Sequence, residues 1–232
     1  MISIIVSMYK TDRHIQRFLS DAEVLSNKLT RNDVDHEFIL VANEPTDNEL
    51  LVLKLLTAPF RVLYVEREPI YASWNRGVRE SRGDFITFWG VDDTRFAQAI
   101  IDGQKKLVEF QADIVYFPFR YHRFVQFISF PILAKIKTFT PPEFEKGRFI
   151  KEMHLGPHFM VRRTLFEKIG YFDESFKIAG DYEFQARAAK EDAHFVRTLA
   201  ISGIFRNDGT TLSGSRDELQ AEENKRVLSS HI

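Results

Sequence analysis

The sequence predicts a single α/β domain, with a mixed, mainly parallel central sheet flanked by helices. Three observations support this prediction. Short apolar runs alternate with amphipathic helical patterns along the first half of the chain, an order typical of parallel strands joined by crossover helices. The chain has 232 residues, within reach of one α/β domain. Hydrophobic residues make up 44% and charged residues 28%, an ordinary balance for a chain with a full core.

Each element of the first half is predicted from its own pattern. The run at 2–6 is β-branched and apolar, which predicts a buried strand, and apolar residues at helical spacing from Ile15 to Leu25 predict the helix after it. Further strands are predicted over 37–41, 61–65, 84–89 and 113–117, and further helices over 49–56, 71–81 and 97–110. Gly83 follows the helix at 71–81 and is a typical stop signal.

The pattern changes after residue 119, so we predict one domain over 1–232 with two unlike halves, 1–119 and 120–232. In the second half, helices are predicted over 164–169, 181–190 and 218–228. The stretch from Arg120 to Lys137 mixes aromatic, basic and β-branched residues. Such a stretch is typical either of a membrane-interface contact or of an insertion packed on the core. Pro131 argues against one amphipathic helix there.

The composition excludes several classes of function. Lys and Arg total 32 against 33 Asp and Glu, so the chain lacks the basic excess that is usual in nucleic-acid-binding proteins. The absence of cysteine excludes disulfides, thiolate zinc sites and cysteine nucleophiles. The opening MISIIVSMYK does not resemble a signal peptide, and no apolar run reaches the roughly 20 residues that span a bilayer. We therefore expect a cytoplasmic protein, with peripheral contact at the inner face of the membrane left open.

Three polar loops follow predicted strands, at 7–12, 42–47 and 90–93. Ligands of open α/β sheets bind beyond the carboxyl ends of the strands, so these loops are the first candidates for a site. Asp92 and Asp93 follow the strand at 84–89, and adjacent carboxylates in that place suit Mg²⁺ or Mn²⁺ shared with a diphosphate. The alternative is that one of the pair caps the next helix.

Four blocks in order along the chain carry a resemblance to a known family. They are ISIIVSMY at 2–9; PIYASWNRG at 69–77 with GDF at 83–85 and VDD at 91–93; HLGPHF at 154–159, continuing to FDE at 172–174; and GDYEF at 180–184 with Arg187. Together they resemble the inverting family-2 glycosyltransferases, which have the GT-A fold. The resemblance covers nearly the whole chain except about 120–153. It implies a donor nucleotide-binding half over 1–119 and an acceptor half with a C-terminal helix over 120–232.

The resemblance implies a reaction and roles for the carboxylates. The reaction is inverting transfer of a sugar from a nucleoside-diphosphate sugar to a hydroxyl of a glycan or lipid-linked acceptor, with Mn²⁺ or Mg²⁺ as cofactor, in bacterial polysaccharide or glycolipid assembly. Asp93 matches the direct metal ligand, and Asp92 the contact to the donor's ribose or to the metal's water shell. Asp181 matches the catalytic base, and Glu183 is the competing carboxylate. The alternative for Asp181 is an ordinary helix N-cap.

The resemblance also implies contacts to the donor at Ser7, Tyr9 and Asn75, although packing is an equal alternative for Tyr9. The turn from Ala42 to Asp47 departs from the family pattern. Ala42 stands where an Asp usually contacts the nucleotide base, which leaves Asn43 or Glu44 to substitute and gives a UDP-sugar donor only weak support.

Two implied residues of the second half concern the acceptor and a lid. His154 matches a family histidine, for which a structural role or an acceptor contact is favoured over metal ligation. Ser213 lies in a Gly- and Ser-containing loop at 207–215 that resembles a lid over the donor, although an ordinary surface loop would look the same.

Two other functions stay open on the sequence. A sugar-phosphate nucleotidyltransferase also combines an α/β half with a metal-binding Asp. It normally has a Gly-rich loop after its first strand, and the loop at 7–12 contains no Gly. A non-catalytic relative that binds a nucleotide sugar or a glycan is kept open by the altered turn at Ala42.

Overall fold

The computed structural model describes residues 1–127, 130–149, 155–208 and 217–231. Its strands are β1 (Ile2–Met8), β2 (His36–Asn43), β3 (Phe60–Val65), β4 (Phe85–Phe88), β5 (Thr94–Arg95), β6 (Ile114–Tyr116), β7 (Phe119–Phe127), β8 (Phe130–Phe139), β9 (Phe159–Arg162), β10 (Phe195–Arg197) and β11 (Gly203–Asn207). Its helices are α1 (Ile15–Thr30), α2 (Asp47–Leu53), α3 (Ile70–Glu80), α4 (Ala97–Glu109), α5 (Lys146–Phe149), α6 (Arg163–Ile169), α7 (Gly180–Lys190) and α8 (Asp217–His231).

The central sheet has seven strands in the order β10-β6-β9-β4-β1-β2-β3. Its strand pairs are parallel, except the two that β9 makes with β4 and β6. The predicted mixed, mainly parallel sheet is therefore confirmed. Both β9 and β10 come from the second half of the chain, so the sheet draws on both halves. With four and three residues, these strands are too short to show a clear pattern in the sequence.

Helices cover both faces of this sheet, as the alternation of patterns predicts. Ile2, Ile4 and Val6 of β1 share one core with α1 and α4, whereas Ile5 shares the other core with α3, α6 and α7. Val227 of α8 also belongs to the second core. Successive side chains of a strand point to opposite faces, so a strand buried on both faces reads as one apolar run.

A smaller sheet has the order β5-β11-β7-β8, and its strands β7 and β8 form an antiparallel hairpin. For β8, the exposure of the side chains argues against the alternative of an insertion packed on the core. Phe119 is buried at the base of the hairpin, but the side chains at 132–138 of β8 are all exposed. The hairpin leaves the core at its base, and the membrane-interface alternative stays a prediction. Among the described residues, no helix is both long and apolar enough to cross a membrane.

Candidate functional site

The loop that carries Asp92 and Asp93 leaves the carboxyl end of β4, beside the carboxyl end of β1. Backbone and side-chain contacts fix its shape. The backbone N–H of Asp93 donates to the backbone oxygen of Gly90 at 3.0 Å. The Trp89 indole N–H donates to the backbone oxygen of Asp93 at 3.3 Å. Arg17 of α1 donates to the backbone oxygen of Asp92 at 2.6 Å. The loop is therefore held both from within and by the neighbouring helix.

Asp93 is buried, and both oxygens of its carboxylate contact other groups of the protein. Its Oδ1 accepts the backbone N–H of Arg206 at 2.9 Å, and its Oδ2 lies 3.6 Å from Nε2 of His158. Burial raises the pKa of Asp93 to about 7, although the Arg206 amide and the charge of Arg95 oppose this. Burial also lowers the pKa of His158 well below its usual value, so His158 is neutral. Asp93 thus joins the loop to β11 and to the residue before β9.

Asp92 is half-buried, and burial together with the neighbouring Asp93 raises its pKa to about 6. A Cβ added at Gly90 would stand 2.9 Å from Oδ1 of Asp92 and 3.3 Å from Oδ2 of Asp93, so both carboxylates lie directly against this glycine and leave no room there for a side chain. Within the described parts of the chain, no group of three His, Asp or Glu forms a complete metal cage. The pair nevertheless fits Mg²⁺ or Mn²⁺, which proteins often hold through one or two carboxylates plus substrate phosphates.

Basic side chains from distant parts of the chain lie around this loop. His14 and Arg17 come from the start of α1, and Arg206 comes from β11. Burial lowers the pKa of His14 and of Arg206, while the charge of Asp92 acts in the opposite direction on both. Arg17 and Arg206 are 75 and 113 residues away from their partners in the loop, and no local pattern marks them.

The loop after β1 and the turn after β2 contain the other predicted donor contacts. Ser7 is half-buried near the end of β1. The Tyr9 ring that follows lies 4.6 Å from the guanidinium carbon of Arg67 and 5.3 Å from the ammonium of Lys10. Lys10 and Glu44 have φ angles of 51° and 40°, in the left-handed region that non-glycine residues rarely adopt.

One buried carboxylate joins these two loops. Glu49, which is 1% exposed, accepts the Thr11 hydroxyl at 2.6 Å and the Thr46 backbone N–H at 2.8 Å. The Thr46 hydroxyl also donates to Asp12 at 2.8 Å. The turn from Ala42 to Asp47 is therefore fixed against the loop after β1.

The two predicted asparagines make contacts within the protein. Asn43 donates to the Met8 oxygen at 3.1 Å and to Ser73 at 3.0 Å, and its Oδ1 accepts the Glu68 N–H at 3.1 Å. Asn75 donates to the backbone oxygen of Phe172 at 2.9 Å and accepts the N–H of the same residue at 3.0 Å. These contacts give both side chains a structural role, and their contact with a donor stays a prediction.

Asp181 lies in the first turn of α7, which begins at Gly180. The N-cap residue is Ala179, and no side chain caps this helix, so the N-cap alternative for Asp181 is wrong. Its half-buried carboxylate accepts the Tyr182 N–H at 2.9 Å. Burial raises the pKa of Asp181 to about 6, against opposing hydrogen bonds from Tyr182 and Tyr71.

Asp181 and the Asp92–Asp93 loop lie at the same edge of the sheet. Because α3 follows β3, its first turn, with Tyr71, lies at the carboxyl edge of the parallel strands. The Tyr71 hydroxyl donates to the Ile178 oxygen at 2.6 Å, which brings the start of α7 to this edge. The loop after β4 leaves the sheet at the same edge. The fold therefore gathers two sets of carboxylates that are far apart in sequence.

Glu183, the competing carboxylate, is already paired. It is buried, and its two oxygens accept from Arg187 at 2.9 Å each. The geometry thus favours Asp181 over Glu183 as the carboxylate open to a ligand. His154 and Ser213 lie outside the described residues, as does most of the loop at 207–215.

Comparison with known proteins identifies the family of the chain. The model of the family described as glycosyl transferase family 2 matches residues 3–170. The chain is 28% identical over 200 residues to the uncharacterized glycosyltransferase YwdF of Bacillus subtilis (strain 168), covering 82% of this chain and 68% of YwdF.

Solved structures resemble the chain over almost its whole length. TarS 1–349 of S. aureus in complex with UDP-GlcNAc superposes with a TM-score of 0.73 at 19% identity, covering 99% of this chain and 66% of that one. The mannosyltransferase PcManGT of Pyrobaculum calidifontis, in complex with GDP-Man and Mn²⁺, superposes with a TM-score of 0.70 at 13% identity. The match covers 99% of this chain and 63% of PcManGT. The chain thus spans about two thirds of these solved chains. Since the family model matches well over half of its residues, the protein belongs to glycosyl transferase family 2, and its fold is GT-A.

Proposed function

We propose that this chain is an inverting, metal-dependent glycosyltransferase that moves a sugar from a nucleoside-diphosphate sugar to a hydroxyl. The observation that carries the proposal is that two carboxylate sites, the Asp92–Asp93 pair and Asp181, share one edge of the sheet. An inverting displacement needs a base for the acceptor proton and charge stabilisation for the departing diphosphate. Two separate carboxylate sites match these two needs.

Asp181 supplies the base in this proposal. Its pKa of about 6 keeps it ionised at neutral pH, yet basic enough to take a proton from a hydroxyl as the displacement proceeds. A positioned base typically contributes about 10²–10⁴-fold to the rate. Because protonation removes the base, transfer is expected to fall as the pH drops through about 6.

The Asp92–Asp93 loop supplies the site for Mn²⁺ or Mg²⁺. A metal ion held there offsets negative charge on the departing diphosphate. Direct ligation by Asp93, which the family resemblance implies, stays a prediction. The contacts of Asp93 with Arg206 and His158 favour the half-exposed Asp92 as the carboxylate that meets the ion.

The donor in this proposal is a UDP- or GDP-sugar. TarS and PcManGT, with UDP-GlcNAc and GDP-Man in their structures, support that range. The acceptor in this proposal is a hydroxyl of a glycan or lipid-linked glycan, in bacterial polysaccharide assembly on the cytoplasmic side.

The β7–β8 hairpin supports contact with an anionic membrane surface. Residues 119–140 include Arg120, Arg123, Lys135 and Lys137 but no Asp or Glu. Ile132 and Ile136 on the same hairpin are 47% and 59% exposed. Basic and apolar side chains side by side are the combination that anionic lipid headgroups attract. Such a contact would bring a lipid-linked acceptor to the enzyme.

The test compares Asp181→Asn with Glu183→Gln. Release of nucleoside diphosphate is measured from UDP-GlcNAc and from GDP-mannose with Mn²⁺ and an oligosaccharide acceptor, and donor binding is measured by thermal shift. We expect Asp181→Asn to lose about 10²-fold or more of the transfer rate and to keep donor binding, because only the base is removed. Glu183→Gln is expected to retain most of the transfer.

Each contrary outcome points to a different function. If Asp181→Asn transfers sugar at the wild-type rate, Asp181 is not the base. Donor binding without turnover by the wild-type chain would identify the non-catalytic relative. Release of pyrophosphate from a nucleoside triphosphate and a sugar phosphate would identify a nucleotidyltransferase.

A further inference from the structure

Glu223 of α8 is a buried carboxylate that holds the segment leading into α7. It is 6% exposed. Its Oε1 accepts the N–H of Lys177, and its Oε2 accepts the N–H groups of Ile178 and Ala179, each at 2.8 Å. Three successive N–H groups converging on one anion form the kind of concavity that binds phosphate in other proteins. Here the C-terminal helix of the same chain supplies the anion.

The opposite side of this segment is held by α3. The Tyr71 hydroxyl donates to the Ile178 oxygen at 2.6 Å. A Cβ added at Gly180 would stand 2.6 Å from the Tyr71 ring, so the backbone lies directly against that ring. Residues 177–180 are thus clamped between Tyr71 and Glu223, and the next residue along the chain is Asp181.

Further contacts fix Glu223 itself. Val227, one turn later on α8, is buried in the core shared with α7. Arg226 donates to Asp173 at 3.1 Å and to Ser175 at 2.6 Å, and its guanidinium carbon lies 4.0 Å from the centre of the Phe176 ring. The helix is therefore attached to the same segment at several points, and Glu223 has little freedom to move.

We propose that Glu223 is a positioning residue for the reaction: it fixes the backbone before α7 so that the Asp181 carboxylate is aimed at the acceptor hydroxyl. The proposal rests on the role of Asp181 as base. It gives α8 a direct part in catalysis, although no residue of that helix needs to touch the substrate.

Charge provides a readout that a merely structural role would not change. The groups that act on Asp181 are the Tyr71 hydroxyl of α3, backbone N–H groups of α7 and the carboxylate of Glu223 on α8. Burial is the largest cause of the raised pKa of Asp181, and the negative charge of Glu223 adds to it. Removal of that charge therefore lowers the pKa of Asp181 and moves the acidic limb of the rate profile to lower pH.

The experiment uses three variants of the full chain: Glu223→Gln, Glu223→Asp and the control Glu222→Gln, whose side chain is exposed on the same helix. Nucleoside diphosphate release is measured across pH with Mn²⁺ and whichever of UDP-GlcNAc or GDP-mannose the wild-type chain uses. Amide hydrogen exchange is measured at residues 177–179.

For Glu223→Gln we expect kcat to fall at least tenfold, KM for the donor to change less than threefold, and the acidic limb to move to lower pH. Glu223→Asp keeps the negative charge but has a shorter side chain. We therefore expect kcat to fall while the acidic limb of the pH–rate profile stays at the wild-type pH. Both variants should speed exchange at 177–179, and Glu222→Gln should match the wild type in every measurement.

Wild-type kcat in both Glu223 variants would overturn the proposal. If Glu223→Gln does not fold, a wild-type kcat in Glu223→Asp with faster exchange at 177–179 would overturn it as well. The base assignment is judged separately by Asp181→Asn. If Asp181→Asn is inactive while the Glu223 variants are fully active, Asp181 remains the base and only the positioning role of Glu223 is removed.

Discussion

At the scale of single residues, Asp92 and Asp93 show how neighbours in sequence can differ in role. Asp93 is 6% exposed and engaged by Arg206 and His158, whereas Asp92 is half-buried and its carboxylate lies against Gly90. The sequence predicts the pair correctly as a feature at a strand end. It does not predict the division of roles, because the residues that engage Asp93 arrive from β11 and from just before β9.

This division predicts different losses in Asp92→Ala and Asp93→Ala. At about 100 times its dissociation constant, a donor with Mn²⁺ should stabilise the wild type by roughly 2.7 kcal/mol. Asp92→Ala is expected to unfold near the wild-type midpoint but to lose this metal-dependent shift. Asp93→Ala is expected to lose about 1–3 kcal/mol of stability, because the backbone N–H of Arg206 loses its acceptor.

Thermal unfolding of the three proteins with and without Mn²⁺ and UDP-GlcNAc or GDP-mannose makes the comparison. The opposite result would be an Asp93→Ala variant that is stable but loses the metal-dependent shift, together with an Asp92→Ala variant that retains the shift. That result would identify Asp93 as the direct metal ligand.

At the scale of elements, the helices and long strands of the first half were predictable, but the β7–β8 hairpin was not. Periodicity worked where an element packs one defined face or both faces against the core, as in α3 and β1. The hairpin does neither, because β8 is exposed at 132–138, so apolar and basic residues follow no burial pattern there. Its extended form comes from pairing with β11 and within the hairpin.

The hairpin predicts binding to anionic vesicles. Cosedimentation is measured with vesicles of phosphatidylcholine alone and with added phosphatidylglycerol. We expect binding only to the anionic vesicles, weakened by salt. A Lys135→Glu/Lys137→Glu double variant should bind at least tenfold more weakly, since each basic residue near such a surface contributes about 1 kcal/mol.

A Lys28→Glu/Lys54→Glu variant makes the same change in net charge at exposed sites on and just after other helices, and it should bind as the wild type does. Equal binding by the two double variants would show that overall charge, rather than the hairpin, is responsible. Absence of binding by the wild type would remove the membrane contact.

At the scale of the whole molecule, the central sheet depends on both halves of the chain. The second half places β9 between β4 and β6, and α6 and α7 complete the second core. The sequence predicted one domain and the strands of the first half, but it gave no signal for β9, because the pairing of a four-residue strand depends on partners more than 40 residues away.

This arrangement predicts that a fragment of residues 1–119 does not fold by itself. It would leave one edge of β4 unpaired and one core without α6 and α7. Circular dichroism during heating is expected to show no cooperative transition for the fragment, in contrast with the full chain. A cooperative transition in the fragment would show that the donor half is an independent folding unit.

The place of β9 also has a consequence for how the chain is made in a cell. On the ribosome, β4 emerges about 70 residues before β9, which is a delay of roughly 4–14 s at ordinary rates of elongation. During that interval the nascent chain displays an apolar strand with one unpaired edge, which other chains can join. Slower translation between these two strands should therefore lower the yield of folded protein through aggregation, even though the finished protein has the same sequence.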